Sequence, residues 1–348
     1  MRKVFLYILA LTLSTASYSQ IGGNYVYGFL ETDFSFSASA LASSSPAVAL
    51  SSDAFLYNPA FADTLFNRRV SLGYYNYLSD VNAGSFFYND SYKKFVFFGG
   101  IEYFNYGKFE GYDEQGNATG NFTASDYAFI GGAALLVDSN LTLGIAFKPV
   151  FSRMEQYFSW GIAADLGLRY HFGASDFSLV FRNFGKQIKP YNNLREPLPF
   201  NINASIATKL KYAPFRPVLS LEHLENWNLY YDSPLDSLYN QVIGDTIKVS
   251  FAQETGREFI RHLSVGTEII FSKNFSVFAG YNFRRAKELS IPAKAGLSGL
   301  SLAMQIKMSK FSFGYSWNKY HVAASGSFFY FSFNLGRIRN QLNLNKVL

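Results

Sequence analysis

The sequence predicts an all-β protein, a transmembrane antiparallel up-and-down β-barrel of about 14 strands with an N-terminal plug segment. Three observations predict this fold class. Aromatic residues make up 19% of the 348 residues, yet the mean hydropathy is close to zero. Apolar and polar residues alternate in one stretch after another, as in strands with one apolar and one polar face. After residue 19, no apolar run is long enough for a membrane-spanning helix.

The first element is a predicted secretory signal peptide at residues 1–19. Arg2 and Lys3 form a basic start, residues 4–13 form a short apolar core, and Ser17 and Ser19 supply the small residues of a cleavage site before Gln20. The alternative, an anchor helix, needs about 20 apolar residues to cross a bilayer. The run here is half as long, so the sequence favours export with cleavage.

The second element, residues 20–69, precedes the first predicted strand. Residues 38–54 are rich in Ser and Ala, and the turn signal Tyr57-Asn58-Pro59-Ala60 follows them. This composition is unusually apolar for a linker, whereas small residues pack closely in a confined lumen. We therefore predict a plug or hatch, with Asn58, Pro59 and Ala60 as its motif.

The barrel itself is predicted over residues 70–336. Along residues 159–172, for example, Leu166 and its apolar neighbours face one side and Asp165 faces the other. The apolar sides carry no charge, as expected for strands facing lipid, where a Lys or Arg at mid-depth costs about 2 to 4 kcal/mol. A soluble β-sandwich or barrel is the alternative, but its outer face usually carries Lys, Glu and Thr. Here the polar sides are rich in Gly, Ser, Ala and Asn, as a narrow barrel interior requires.

Fourteen candidate strands, an even number, bring both ends of the barrel to the periplasmic side. They are predicted at 70–78, 83–89, 92–104, 124–137, 140–152, 157–172, 176–184, 200–210, 215–227, 259–272, 274–285, 293–307, 310–320 and 327–336. Tight links join strands 2–3, 4–5, 6–7, 8–9, 10–11 and 12–13. Longer connections join strands 3–4 (105–123), 7–8 (185–199), 9–10 (228–258), 11–12 and 13–14. We predict strand kinks at Gly99-Gly100 and Gly131-Gly132, and a periplasmic tail at 337–348.

The sequence gives no sign of catalytic, cofactor or metal chemistry. Cysteine is absent, and the four histidines (His171, His223, His262 and His321) are not spaced as ligand pairs. No nucleophile elbow, zinc helix or phosphate loop is present. The small, scattered excess of Lys and Arg does not indicate nucleic-acid binding. We expect a non-enzymatic protein without a cofactor.

Several stretches in order resemble the PorQ family of the type IX secretion system. They include Tyr27-Gly28-Phe29-Leu30, Tyr57-Asn58-Pro59-Ala60, Tyr106-Gly107-Lys108-Phe109 and Arg182-Asn183-Phe184-Gly185, and the likeness runs from about residue 22 to about residue 220. The resemblance implies a barrel similar to the fatty-acid transporter FadL. It also implies that the protein belongs to an outer-membrane complex of Bacteroidetes-type bacteria, together with the PorV barrel, the PorU sortase and the surface protein PorZ. By the same resemblance, this complex attaches exported cargo to lipopolysaccharide.

Two functions follow as hypotheses. The first is docking of a surface partner by the long outer loops, and its candidate residues are Tyr106, Phe109, Tyr112, Lys186, Tyr191, Trp227, Tyr230 and Tyr231. The second is FadL-like transport of hydrophobic small molecules, with the N-terminal segment as a movable hatch. The polar strand faces around Asp165, Arg169, Glu268 and Lys307 argue mildly against the second, because unpaired charges beside an apolar ligand are costly.

Overall fold

A computed structural model describes residues 25–42, 47–77, 80–229, 251–288, 297–321 and 324–336. The predicted signal peptide and the predicted C-terminal tail lie outside these residues. Fourteen strands form a closed antiparallel barrel in which each strand pairs with its sequence neighbours and β1 closes on β14, with Arg69 opposite Asn334. The predicted fold class is confirmed.

The strands are β1 (Arg69–Asn76), β2 (Asn82–Tyr92), β3 (Phe95–Tyr112), β4 (Ala118–Leu136), β5 (Leu141–Met154), β6 (Tyr157–Phe172), β7 (Ser175–Lys189), β8 (Asn201–Thr208), β9 (Phe215–Leu221), β10 (Leu263–Ile270), β11 (Phe275–Asn282), β12 (Leu300–Lys307), β13 (Phe311–His321) and β14 (Ala324–Asn334). Six short turns lie at the same end of the barrel as the start of β1, and we call this end the short-turn end. They are turns 93–94, 137–140, 173–174, 209–214, 271–274 and 308–310. We call the opposite end the long-loop end, because the two longest connections, 222–262 and 283–299, lie there.

The described helices are short. The α-helices are α1 (Phe36–Ser39), α2 (Phe251–His262) and α3 (Phe283–Glu288), and the 3₁₀ helices are Gly28–Glu31, Ala54–Leu56, Pro59–Phe61 and Thr64–Phe66. In the part of the chain that the structure describes, no helix combines the length and apolar character needed to cross a bilayer.

The two faces of the wall differ as the alternation predicts. On β6, Leu166 points outward and is 52% exposed, whereas its neighbour Asp165 points into the barrel and is buried. On β5, Ile145 and Phe147 point outward while Ala146 and Lys148 point inward. The outer surface is therefore apolar and the inner surface holds polar groups, as in a barrel that faces lipid.

The strands differ in length around the barrel. β3 and β4 contain 18 and 19 residues, whereas β8, β10, β11 and β12 contain 8 each. A strand tilted by about 40° crosses an apolar band of about 25 Å with roughly ten residues. β3 and β4 therefore continue beyond the band as a hairpin, residues 106–122, which we call the tall hairpin.

Several predicted bounds of strands and connections were wrong. β7 continues to Lys189, β9 ends at Leu221 and β12 begins at Leu300, against predicted bounds of 184, 227 and 293. Residues 105–123 are strand up to a turn at 113–117, because the two segments pair with each other from Lys108–Thr123 to Tyr112–Ala118. Residues 259–262 end helix α2 instead of starting a strand, because β9 stops at Leu221 and leaves no ladder partner before Leu263. The connection between strands 13 and 14 is short, since β13 ends at His321 and β14 begins at Ala324.

The predicted kinks at the paired glycines stay a prediction. Gly99 and Gly131 are direct partners in the β3–β4 ladder, whose register shifts lie beyond Asn105. Gly100 and Gly132 make room inside the barrel. A Cβ on Gly100 would lie 2.4 Å from the Phe87 ring, and one on Gly132 would lie 2.5 Å from the Phe98 ring.

Candidate functional site

The barrel lumen is filled by the N-terminal segment, residues 25–42 and 47–62, which we call the plug. Nearly all of these residues are buried, although none of them belongs to a barrel strand. The plug runs the length of the lumen. The Val26 amide donates to the Pro197 carbonyl at the long-loop end, and Asn58 contacts the wall near the short-turn end. The candidate functional site is the interface between this plug and the inner wall.

The predicted motif Asn58, Pro59 and Ala60 forms one anchor of the plug. The Asn58 Oδ1 atom caps the 3₁₀ helix by accepting from the Ala60 amide at 2.9 Å, and Pro59 supplies the first helical residue. The Asn58 Nδ2 atom donates to Ser178 Oγ on β7 at 3.1 Å. The Asn58 side chain thus stabilises the local turn and also binds the plug to the wall.

Two wall glycines accommodate this motif. A Cβ on Gly144 of β5 would lie 2.3 Å from the Ala60 amide nitrogen, and one on Gly167 of β6 would lie 1.9 Å from Asn58 Oδ1. Both distances are too short for any non-bonded contact. The motif therefore sits directly on the backbone of two adjacent strands, where only glycine fits.

Small hydroxyl side chains hold the opposite side of the plug. Ser39 Oγ lies 2.6 Å from Ser316 Oγ on β13, and the Ser301 hydroxyl of β12 donates to the Ser39 carbonyl at 2.7 Å. Ser52 Oγ lies 2.6 Å from the Tyr330 hydroxyl of β14 and 2.7 Å from Ser71 Oγ of β1. These are single side-chain contacts, each worth about 1 kcal/mol net, rather than a cooperative strand ladder.

Aromatic rings fill the space between the plug and one part of the wall, which we call the aromatic sector. Phe36 stacks on Tyr330 at 5.5 Å between ring centroids and meets Phe278 edge-on at 5.7 Å. Phe55 stacks on Phe98 at 4.4 Å and meets Phe87 at 5.7 Å. The sector consists of wall rings on β1, β2, β3, β11, β13 and β14, namely Tyr75, Phe87, Phe98, Phe104, Phe278, Tyr320, Phe328 and Tyr330.

The wall from β3 to β7 has a different character. Each strand there contributes at least one buried charged side chain to the inner face, and we call this the charged sector: Glu102, Asp126, Lys148, Asp165 and Arg182. Lys148 Nζ lies 2.5 Å from Asp165 Oδ2 and also donates to Asn183 Oδ1. Two of the charges predicted to oppose an apolar lumen are thus ion-paired on this side of the wall, Asp165 with Lys148 and Arg169 with Asp176. The other two lie elsewhere, Glu268 on β10 beside Arg216 and Lys307 on β12.

The charged sector holds the plug through Arg182. Its guanidinium lies 4.3 Å from the centroid of the Tyr57 ring and donates to the Leu30 carbonyl at 3.3 Å. Tyr57 also accepts from Asn203 Nδ2 of β8 at 3.0 Å. Sequence reasoning did not identify Arg182 or Tyr57 as contacts, because 125 positions separate them and no spacing rule relates them.

Two cavities open at the ends of the lumen. At the long-loop end, a cavity of about 220 Å³ lies between plug residues such as Asp33 and the wall residues Tyr77 and Tyr320. At the short-turn end, a cavity of about 270 Å³ is lined by Ala60, Asp63, Arg169, His171 and residues of turn 137–140. Between them the described plug residues are almost all buried against the inner wall.

The predicted docking residues are dispersed. Tyr106, Phe109 and Tyr112 lie on β3 rather than in a loop, Lys186 lies on β7 and is exposed, and Trp227 stacks on His262. Two of them turn inward, since the Tyr106 hydroxyl donates to Asp126 at 2.6 Å and the Tyr191 hydroxyl donates to Ser152. Tyr230 and Tyr231 lie outside the described residues.

The histidines with described side chains have ordinary structural contacts. His171 lies 3.1 Å from Asp176, His223 lies 3.0 Å from Glu225, and buried His262 lies 2.7 Å from the Glu222 carbonyl. The side chain of His321 is outside the described part. Among the described residues, no group of three His, Asp or Glu side chains is arranged to hold a metal ion.

Comparison of the whole fold identifies similar solved structures. A TodX monoaromatic hydrocarbon channel with a deltaS2 mutation matches with a TM-score of 0.56 and 12% identity, over 87% of this chain and 100% of that chain. The P. putida toluene transporter TodX matches with a TM-score of 0.53 and 12% identity, over 86% and 97%. The chain has the fold of these FadL-like channels. No family model and no curated protein sequence matches it.

Proposed function

We propose that the chain forms a non-enzymatic channel in the outer membrane of a Gram-negative bacterium, through which a hydrophobic small molecule passes when the plug shifts. The aromatic sector carries this proposal. A plug that moved away from β13, β14, β1 and β2 would expose a row of wall rings from Tyr320 and Tyr75 near the long-loop end to Tyr330 farther down. Such a row favours an uncharged apolar solute.

The membrane placement follows from the outer surface and the connections. The outward side chains are apolar, and exported barrels of this type keep short turns and both barrel ends in the periplasm. The short-turn end therefore faces the periplasm and the long-loop end faces the cell exterior. The hydrocarbon channels with the same fold support a hydrophobic substrate class for this chain.

The charged sector does not obstruct such a route. Lys148 and Asp165 satisfy each other, and Arg182 is bound to the plug, so these charges lie across the lumen from the Phe36 and Tyr330 rings. A solute sliding along the aromatic sector would not need to desolvate them. This arrangement answers the objection at Asp165 only, since Glu268 and Lys307 lie on β10 and β12 and buried Arg69 lies on β1.

An engineered disulfide tests whether the plug must move. The chain has no cysteine, so Ser39→Cys with Ser316→Cys, whose Oγ atoms lie 2.6 Å apart, would tie the plug to β13 without competing thiols. We expect uptake of radiolabelled oleate or toluene, by cells that lack their own hydrophobic channels, to stop when this pair is oxidised and to return on reduction.

The matched control joins two positions within the plug. Ser37 and Ser51 also have Oγ atoms 2.6 Å apart, and a Cys pair there leaves the plug free of the wall. Uptake by this control should persist under oxidation. Uptake that continues in the oxidised Ser39–Ser316 variant, or that is absent from the wild type, would overturn the transport proposal.

Docking of a surface partner is the second candidate function, and the tall hairpin favours it. Beyond the end of β2, residues 108–112 have no strand partner on that edge among the described residues, and the rings of Phe109 and Phe122 stack 5.3 Å apart beside it. An edge of this kind accepts a partner strand. Membership of a type IX secretion complex with PorV-, PorU- and PorZ-type proteins stays a prediction.

The docking hypothesis is tested by affinity purification from detergent-solubilised outer membranes, followed by mass spectrometry. Replacing residues 108–121 by a two-residue Asn-Gly turn should abolish recovery of a sortase-like protein and a second barrel. Phe259→Ser, an exposed position of α2, serves as the control and should retain them. Recovery of the barrel alone from the wild type would leave transport as the proposed function.

A further inference from the structure

The six turns of the short-turn end are strongly basic. They contain six lysines and one carboxylate, Asp138, and all six lysine side chains are exposed. The lysines are Lys93, Lys94, Lys209, Lys211, Lys273 and Lys310. They are contributed by four of the six turns, so the positive charge is spread around the rim rather than confined to one site.

The single carboxylate is occupied within its own turn. Asp138 Oδ1 accepts from the Asn140 amide at 2.7 Å and from the Leu141 amide at 2.8 Å. These backbone hydrogen bonds hold the pKa of Asp138 below its ordinary value. The Asp138 carboxylate stabilises its turn and offsets one of the six lysine charges. The six turns, which together form the rim, therefore carry an excess of five positive charges.

Exposed rings place these lysines at the level of lipid headgroups. Lys93 Nζ lies 5.3 Å from the centroid of the Tyr92 ring, and Lys211 Nζ lies 5.2 Å from that of Tyr212, which is 91% exposed. Phe95, Phe215 and other exposed rings begin the adjoining strands. Aromatic girdles of this kind mark the membrane interface, and lysine stems extend from it toward phosphates.

The opposite end lacks this bias. In the tall hairpin, Lys108 is outnumbered by Glu110, Asp113 and Glu114, and the β5–β6 connection sets Arg153 beside Glu155. Elsewhere at this end, two segments are basic, with Lys186, Lys189 and Arg195 between β7 and β8 and Arg284, Arg285 and Lys287 in α3. The acidic side chains of Glu31, Asp33, Asp80, Glu196, Glu222, Glu225 and Glu288 offset them, so among the described residues the fields largely cancel. The excess of positive charge belongs to the rim at the short-turn end.

We propose that this basic rim binds the headgroups of anionic phospholipids in the membrane leaflet that it faces. Spread, exposed lysines just beyond an aromatic girdle fit a layer of phosphates at one depth better than a single compact ligand. The inference rests on the membrane placement in the proposed function but not on what crosses the channel.

Lipid selection by the full-length purified barrel tests this inference. The protein in neutral detergent micelles is offered equal amounts of phosphatidylglycerol and phosphatidylcholine with the same acyl chains, and bound lipids are counted by native mass spectrometry. We expect a preference for phosphatidylglycerol that weakens as salt rises from 0.05 to about 0.5 M, because the charges are exposed to solvent.

Two triple variants locate the effect. Lys94→Gln with Lys211→Gln and Lys273→Gln should reduce the preference on the order of tenfold or more, given the contribution of each lysine near an anionic surface. Lys108→Gln with Lys186→Gln and Lys189→Gln removes the same charge from the long-loop end and should leave the preference intact. Glutamine retains most of the side chain, and melting of both variants in detergent checks that the barrel is folded.

Three outcomes would overturn the inference: no preference in the wild type, an equal loss in both triple variants, or full displacement of phosphatidylglycerol by matched concentrations of inorganic phosphate or soluble polyglutamate. The last outcome would assign the rim to a soluble anion. Loss of the lipid preference with normal oleate uptake would reject this inference alone, whereas failure of uptake with a retained preference would reject only the transport proposal.

Discussion

Two glycines of the wall, Gly144 and Gly167, allow the plug to contact the strand backbone directly. Because a Cβ at Gly167 would lie 1.9 Å from Asn58 Oδ1, we expect Gly167→Ala to displace the Asn58, Pro59 and Ala60 motif from β6. The barrel should persist, since β6 keeps its ladder with β5 and β7. A spin label at Leu65, which follows the motif and is 79% exposed, should report increased mobility, while heat-modifiable migration of the folded barrel on gels stays unchanged.

Gly131→Ala is the matched control for this substitution. Gly131 lies on β4, two strands away from β6, and an added Cβ there meets no atom within 4 Å. The spin label should report the wild-type plug in this variant. Equal mobility in the Gly167→Ala and wild-type proteins would show that the motif tolerates an extra methyl group. The position of the plug would then not depend on the close approach of Asn58 to Gly167.

The buried pair Lys148 and Asp165 supplies a second prediction at this scale. Lys148→Met would leave the Asp165 carboxylate unpaired in the lumen wall, which costs about 3 to 5 kcal/mol. We expect a lower denaturant midpoint for unfolding from lipid vesicles, followed by tryptophan fluorescence. Lys148→Met with Asp165→Met removes both charges and should recover most of the loss. A double variant less stable than Lys148→Met would contradict this account.

Sequence alone predicted the chemical type of these residues but not their contacts. The turn signal at Asn58, Pro59 and Ala60 and the small side chains around it indicated a plug. The partner of Asn58 is Ser178, which is 120 residues away, and only the closure of the barrel brings the two together. Contacts of that kind depend on the register of every intervening strand.

At the scale of the strand, the alternation of faces predicts where a charge is tolerated. Ile145 points outward from β5 at a position well inside the apolar band and is 55% exposed. Ile145→Lys should lower the free energy of unfolding in lipid vesicles by about 2 to 4 kcal/mol. Leu194→Lys, in the exposed loop at residues 190–200, should change it by less than about 0.5 kcal/mol. Similar effects at both positions would argue against lipid contact at Ile145.

Strand boundaries were predictable where lipid imposes alternation and not beyond it. β6 occupies residues 157–172, as predicted, because every second side chain along it is apolar. The tall hairpin was predicted as a loop, since outside the lipid its sequence needs no apolar face and contains Gly107, Gly111 and Gly120. There, pairing between β3 and β4 maintains the strands without a hydrophobic pattern.

The whole molecule consists of a hydrogen-bonded wall and an interior segment without a strand ladder. The wall is closed by ladders, whereas the plug is held by side-chain contacts such as Ser39–Ser316 and by buried rings such as Phe36 and Phe55. We expect plug amides to exchange with deuterium faster than those of β6, since their opening breaks no strand ladder. Mass spectrometry of peptides covering residues 47–62 and 157–172 measures this difference. Equal protection would indicate a plug that does not move separately.

The fold class and strand number were predictable at this scale because a closed barrel is one of only two solutions for a chain that crosses lipid. The division of the lumen into aromatic and charged sectors was not. Each inward residue appears in the sequence as one position in an alternating pattern. Only the order of strands around the barrel shows that Phe87, Phe328 and Tyr330 share one side while Lys148 and Asp165 share another.

The unequal strand lengths also affect the surrounding bilayer. Strands of 8 residues, such as β10 and β11, tilted by about 40°, rise only about 20 Å, less than the roughly 25 Å of an average apolar band. Exposed apolar side chains in the adjoining turns, namely Leu210, Phe271 and Met308, lengthen the apolar surface on that side. The barrel thus meets its annular lipids through turn residues as well as strands beside β8–β12, where a bilayer of ordinary thickness rests partly on side chains outside the sheet.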